Sequence, residues 1–256
     1  VFNAAGRDEE EAGLDWGGLY RECMNTMIED VFDTDALDLM VPVPNAITHV
    51  GENGDMFVPN PKHQSPLAVA MFEFLGKLMG VAMRTKSFVP MSLPSIIWKP
   101  LVGQRPTMAD LAAIDQAFVQ FLGQLRESAA SDEPVADLVW TVPRSDGVQV
   151  PLVPGGARRR LAKEDVSKYC DMAARYRLHE FDAPVGAILR GLGAMIPPQA
   201  LRLLTWAELN ELTCGSPEVD VSLLRSHTHY ATAGYDESDR HIRMFWNVME
   251  SFTNEE

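Results

Sequence analysis

The stretch FEFLGKLMGVAMRTKSFVPMSLPSIIWKPLVG, residues 72–103, constrains the fold more than any other part of the chain. Its first half reads as a buried helix: Met71, Leu75, Leu78 and Ala82 recur at helical spacing, with Phe72, Phe74, Met79 and Val81 beside them. Glu73 and Lys77 stand four apart in the favourable order on the remaining face, and Arg84 continues that stripe. Gly76 and Gly80 are also four apart. On a helix they form a flat strip that another element can approach closely, at roughly 1 kcal/mol each in lost propensity. The two charges interrupt the apolar run, so it does not read as a membrane span. The helix is expected to stop near Lys86. Pro90 and Pro94 break the chain, and a short apolar segment carrying Trp98 comes next.

Elsewhere the pattern is mainly helical with short hairpins. Leu19, Cys23, Met27 and Val31 predict a helix running to about Phe32. Asn53-Gly54 is a hairpin-type turn between residues 47–50 and 56–58. Thr107, with Asp110 as a variant capping box, starts a helical region to Glu127 that carries Leu111, Ile114, Phe118, Leu122 and Leu125. LVWTV at 138–142 is a strand candidate. PGGARRR at 154–160 reads as a solvated basic tip. Residues 164–178 and 185–196 predict helices, as do 200–212 and a last segment carrying Ile242, Phe245, Trp246 and Met249. Residues 129–135 read as a linker.

With 256 residues and 46% apolar content, one large domain or two small ones can bury a sizeable core. The net charge of −14 argues against a nucleic-acid partner and fits partners that present basic patches. Cys23, Cys170 and Cys214 have no metal or redox spacing, which favours a reducing compartment, the cytoplasm or nucleus. Cys214, His227, His229 and His241 match no zinc-finger spacing and read as ordinary polar residues; His49 and His63 read as surface histidines. No metal or cofactor is expected. Val1 in place of methionine suggests a piece of something longer.

Three passages, in order, resemble a known family. FLGKLMGVAMRTK with LPSIIWKPLVG, the earlier LDWGGLYRE, and the later LTCGSPEVD followed by SFTNEE are similar to the N-lobe of HECT-type ubiquitin ligases, most closely the large HERC-type ligases. The resemblance implies an α+β, mainly helical fold: a large helical subdomain plus a small conjugating-enzyme-binding subdomain at about residues 115–185, with short hairpins. It places the N-lobe at residues 1–214 and the start of a truncated C-lobe at 220–256. The interlobe hinge falls on Gly215, Ser216, Pro217, Glu218 and Val219.

In this family ubiquitin passes from a conjugating enzyme to a ligase cysteine and then to a substrate lysine. That cysteine lies in a Thr-Cys-Phe type context, which this chain lacks. Cys214 sits in the N-lobe's Leu-x-Cys-Gly passage, and Cys23 and Cys170 read as core. No residue here is therefore expected to be catalytic, and the fragment alone is expected to be inactive. The implied partners are a ubiquitin-conjugating enzyme, ubiquitin, and substrates held by other regions, with no nucleic acid and no membrane. The resemblance carries the docking groove onto Phe118, Leu122, Leu125, Leu138 and Trp140, with Val166 beside them. Two aromatics of the family pattern are replaced here, by Ser128 and Asp165. Strand alternation would put Leu138 and Trp140 on one side. The residues alone leave open whether that side is core; the resemblance favours an exposed Trp140 at the centre of an interface. The rival reading is a non-catalytic helical scaffold that keeps a HECT-like fold.

Overall fold

Local capping and proline signals set many of the helix boundaries, and contacts from distant residues set the rest. The computed structural model describes residues 2–3, 10–11, 18–131, 137–216, 220–230 and 237–252. Residues 14–17 of the glycine signature, 132–135 of the expected linker, and 253–256 lie outside them. Strands β1 (Phe2–Asn3) and β2 (Glu10–Glu11) pair antiparallel. Helix α1 (Gly18–Phe32) buries Met24, Ile28 and Val31. Cys23 is exposed, so it is not a core residue as its spacing suggested.

Strand β3 (Met40–Pro42), helix α2 (Pro44–Thr48) and strand β4 (Phe57–Pro59) come next. The expected hairpin is rearranged. Strand β4 pairs with β3, Val41 opposite Val58, while Pro44 at the first turn commits residues 44–48 to a helix.

Helix α3 (Pro66–Thr85) starts where Ser65 Oγ accepts from the Ala68 amide at 3.2 Å and ends at Lys86, which adopts a left-handed φ of 54°. Phe72, Leu75, Met79 and Ala82 are buried on one face, and Glu73 pairs with Lys77 at 3.1 Å on the other. By length and composition α3 would suffice to cross a membrane. Here its apolar face belongs to the core.

Three further helices are α4 (Ser95–Leu101), α5 (Met108–Ala112) and α6 (Gln116–Ala130). Buried Trp98 donates to the Leu93 carbonyl at 2.9 Å. The Thr107 amide donates to Asp110 Oδ2 at 2.8 Å, the reach-back bond of a capping box. The predicted single helix over 107–127 is broken at 113–115. Asp115 Oδ1 accepts from the Phe118 amide at 3.1 Å and so caps α6. Asn45, 2% exposed, donates to the Ala113 carbonyl at 3.1 Å and accepts from the Gln116 amide at 2.8 Å. The break is thus satisfied by a residue far away in sequence, which local periodicity does not contain.

Strands β5 (Thr141–Pro143) and β6 (Gln149–Pro151) pair antiparallel, Val142 opposite Val150. A 3-10 turn at Lys163–Asp165 leads into α7 (Val166–Leu178), which buries Val166, Tyr169, Cys170 and Ala173. Helix α8 (Asp182–Met195) keeps Pro184 in its first turn and packs along α3, the most extensive helix pair in the chain. Helices α9 (Pro198–Leu201) and α10 (Trp206–Cys214) divide the predicted 200–212 helix. Between them the Thr205 amide donates to Glu208 at 2.7 Å while Thr205 Oγ1 accepts from the Glu208 amide at 3.2 Å, a capping box that starts α10. The fold is α+β and mainly helical.

The chain divides into two compact units, Val1–Cys214 and Gly215–Glu256. In the second, α11 (Val221–Ser226) is capped by Asp220, and α12 (Arg240–Ser251) buries Ile242 and Trp246. Trp246 donates to the Tyr230 hydroxyl at 2.9 Å. Arg225 lies 5.8 Å from the Trp246 ring and pairs with Glu237 and Glu250. Phe245, expected on the buried side, is 54% exposed because its neighbour Trp246 occupies that side.

Candidate functional site

Helix α6, the β5–β6 hairpin and α7 form one packed group around the implied docking residues. Helix α6 turns Phe118, Leu122 and Leu125 inward, one from each successive turn. Helix α7 supplies Val166. The Cys170 thiol donates weakly to the Leu122 carbonyl at 3.8 Å, and the Tyr169 hydroxyl donates to the Thr141 carbonyl at 2.8 Å. These bonds tie α7 to α6 on one side and to the hairpin on the other.

The six residues come together, but mostly as a floor. Phe118, Leu122, Leu125, Trp140 and Val166 are all buried, and only Leu138 is half-exposed. The expectation of an exposed Trp140 is corrected: 1% of it reaches solvent. Two causes are visible. Residues 138–140 are not a regular strand, since Val139 makes a lone bridge to Arg160 and β5 begins only at Thr141. The turn after β6 then folds back over the ring. The Trp140 amide donates to the Gly156 and Arg159 carbonyls at 3.1 and 3.2 Å, and the Leu161 amide donates to the Leu138 carbonyl at 2.8 Å. Gly156 permits this closeness, because a Cβ there would stand 2.4 Å from the Trp140 carbonyl oxygen. Tyr169 meets the indole edge-on at 6.2 Å, and Arg159 lies 5.3 Å from its centroid. The indole Nε1 is buried without an acceptor among the described residues.

Sequence reasoning missed the electrostatic centre of this group. Arg177 is fully buried. Its guanidinium pairs with Asp115 at 2.8 Å and Glu180 at 2.9 Å, and donates to the Pro143 carbonyl and Ser145 Oγ, both at 3.1 Å. It also lies 5.0 Å from the Phe118 ring. Glu180 accepts in turn from the Ser145 amide and hydroxyl at 2.8 and 2.9 Å. One side chain thereby fixes the α6 N-terminus, the α7 C-terminus and the β5–β6 turn. Every guanidinium face has a partner, which a buried charge requires. The signal was present: Arg177 stands four residues after Ala173 on the same buried stripe of α7.

Two open grooves flank α7. One, of about 690 Å³, lies between α7 and β6 and is lined by Leu152, Met172, Arg175 and Tyr176. The other, of about 490 Å³, lies between α6 and α7 and is lined by Val119, Leu122, Gly123, Ala174 and Leu178. Leu122 is the implied docking residue that reaches this second groove.

Of the implied hinge, Gly215 has φ 89°, a left-handed conformation that favours glycine, and Ser216 is exposed. Pro217, Glu218 and Val219 lie outside the described residues. As for thiol chemistry, burial pushes the Cys214 thiol up to about 11, against a weaker opposing effect of the Met91 backbone. Burial also raises Cys170, which Arg126 only partly offsets. Both environments disfavour thiolate.

The family model described as HECT-domain (ubiquitin-transferase) matches residues 25–256. The E3 ubiquitin-protein ligase HERC2 of Mus musculus is 34% identical over 94% of this chain, and HERC2 of Homo sapiens is 34% identical over the same share. In both cases the match covers 5% of the relative's length. The E3 ubiquitin-protein ligase HACE1 of Gallus gallus is 28% identical over 90% of this chain and 25% of its own. The chain thus spans a small part of the relatives it matches, and it belongs to the HECT-domain (ubiquitin-transferase) family.

Proposed function

We propose that this chain is the conjugating-enzyme-docking part of a larger HECT ubiquitin ligase. It holds a ubiquitin-charged conjugating enzyme on the α6–α7 group while ubiquitin passes to a cysteine outside these residues and then to a substrate lysine. The observation that carries the reading is the convergence of the family's docking positions on one rigid group with an apolar groove at its surface. Phe118, Leu125, Trp140 and Val166 form the floor, and Leu122 joins that floor to the groove between α6 and α7. Half-buried Leu138, Val119 and Leu178, with exposed Met108, are among the apolar side chains left for a partner to cover. None of the chain's thiols is the transfer nucleophile on this reading: Cys170 and Cys214 sit where thiolate is disfavoured, and Cys23 lies on α1, away from the docking group. Residues 215–219 act as the pivot between the docking lobe and residues 220–256.

Binding of conjugating enzymes to the native chain and to Val119→Arg and Leu138→Arg variants tests the reading. Both positions are partly open, so the variants should melt near the native temperature. Loss of an apolar contact at an interface centre costs ~2 kcal/mol or more, about 30-fold in affinity. Native affinity in both variants overturns the docking surface.

A further inference from the structure

We propose that the turn carrying Arg158, Arg159 and Arg160, with Lys163 and Lys168, is a recognition surface for an acidic face of the conjugating enzyme. It rests on the docking reading above and adds the chemistry by which one enzyme is preferred to another.

The chain carries 36 acidic against 22 basic residues, so a positive surface must be a local construction. From 158 to 168 the balance is reversed, with those five cations against Glu164 and Asp165. The three arginines are solvent-exposed, as their composition suggested, but the turn that carries them is anchored. Its backbone is pinned to residues 138–140 by the Val139–Arg160 bridge and by the bonds from the Trp140 and Leu161 amides. Gly155 at φ 70° and close-packed Gly156 make that path possible. The backbone carrying Arg159 and Arg160 is therefore held in fixed register with residues 138–140, which include Leu138, the open member of the implied docking set.

Their charges are poorly neutralised. The Arg159 side chain is 61% exposed and reaches Asp165 only at 4.0 Å, and Arg160, 81% exposed, meets a similarly exposed Asp137 at 3.4 Å. Arg158 and Lys168 have no carboxylate at ion-pair distance among the described residues. The Arg159 guanidinium carbon and the Lys168 ammonium stand 5.3 and 5.8 Å from the centroid of the buried indole, cation–π contacts that hold these two charges beside Trp140. Lys163 donates to the Ser131 carbonyl beyond the end of α6, so the positive collar extends from the hairpin to that helix. Pre-ordered guanidinium groups suit bidentate contact with carboxylates. At the rim of an interface they act mainly on encounter rate and partner choice.

The test is association kinetics of the chain with a panel of ubiquitin-conjugating enzymes of acidic and basic surfaces, from about 20 mM to 1 M salt, where the Debye length shrinks to about 3 Å. Arg158→Glu combined with Arg160→Glu reverses two exposed charges without touching the Trp140 packing. Acidic-faced enzymes should associate roughly 10-fold more slowly with the variant at low salt, with the difference vanishing at high salt. Basic-faced enzymes should bind the variant better than the native chain. Unchanged rates and salt slopes across the panel overturn this proposal and leave docking intact. Failure of every enzyme to bind the native chain at low salt overturns both. Free ubiquitin binding with the same salt slope and the same response to charge reversal identifies ubiquitin as the occupant and overturns the assignment to the conjugating enzyme.

Discussion

Gly76 and Gly191 interlock where α3 crosses α8: a Cβ on Gly76 would stand 1.9 Å from the Ile188 carbonyl oxygen, and one on Gly191 would stand 1.8 Å from that of Glu73. The obstructing atoms are helix backbone, so relief would require moving a whole helix. Gly76→Ala and Gly191→Ala should therefore each destabilise by ~1–3 kcal/mol or more through overpacking, even though alanine recovers about 1 kcal/mol of helix propensity. Gly123 in α6 has nothing within 4 Å of its missing Cβ. Gly123→Ala should leave stability unchanged or raise it by up to about 1 kcal/mol. Urea melts of the three variants check the contrast in sign.

Trp140 should behave as a core residue. Truncation to alanine removes an indole that is 1% exposed and should cost ~3–5 kcal/mol. For a chain of this size that lowers the melting temperature by on the order of 10 °C. Calorimetry on Trp140→Ala measures it, and a native-like melt would show that the ring contributes nothing to the fold.

What could be read in the sequence divides by range. The α3 helix, its glycine strip, the Glu73–Lys77 pair and the buried stripe of α7 all come from spacing within a few turns. The break between α5 and α6 depends on Asn45 and Arg177, which no local window contains. The partner of β4 is likewise decided by Pro44, which removes the nearer candidate. The family resemblance named a set of positions that the structure packs together, whereas their burial could not be read from it. Burial of Trp140 depends on a later turn closing over it, and alternation in a short apolar run cannot distinguish a solvent face from a covered one.

Arg177 holds three elements through one buried charge. Arg177→Met leaves Asp115 and Glu180 without their common cation, and breaking a buried pair in this way costs ~3–5 kcal/mol. Adding Asp115→Asn and Glu180→Gln should recover part of that loss, because the orphaned charges are removed. A thermal melt series of the single and triple variants checks this; a triple variant no better than the single one would show that shape, not charge, dominates.

Asp110 gives the fold an acid-sensitive joint between α4 and α5. Burial pushes its carboxyl up, but donors from Lys99, Ser95 and Thr107 together outweigh burial and hold it below its ordinary value of 3.8. A carboxyl depressed in the folded state contributes stability that is fully present above the unfolded value and is lost as pH falls through the folded one. Asp110→Asn should thus melt below the native chain at pH 7, with the gap closing below about pH 4. Melting temperatures from pH 7 to pH 2 test the sign; a gap constant across that range contradicts it.

The three thiols should separate cleanly under alkylation. Cys23 is exposed on α1, Cys170 is buried between α7 and α6, and the Cys214 thiol is pushed up to about 11 by burial. Alkylation requires both access and thiolate. At pH 7.5 in native buffer, iodoacetamide should modify Cys23 alone, with Cys170 and Cys214 reacting only in denaturant. Peptide mass spectrometry of samples labelled under the two conditions reads this directly. The same chemistry predicts the outcome with charged conjugating enzyme: no reducible ubiquitin adduct should form on Cys214, because a half-buried sulfur held protonated cannot attack the thioester. An adduct that disappears in Cys214→Ser would show that this sulfur reaches solvent as thiolate, and it would return Cys214 to consideration as a nucleophile.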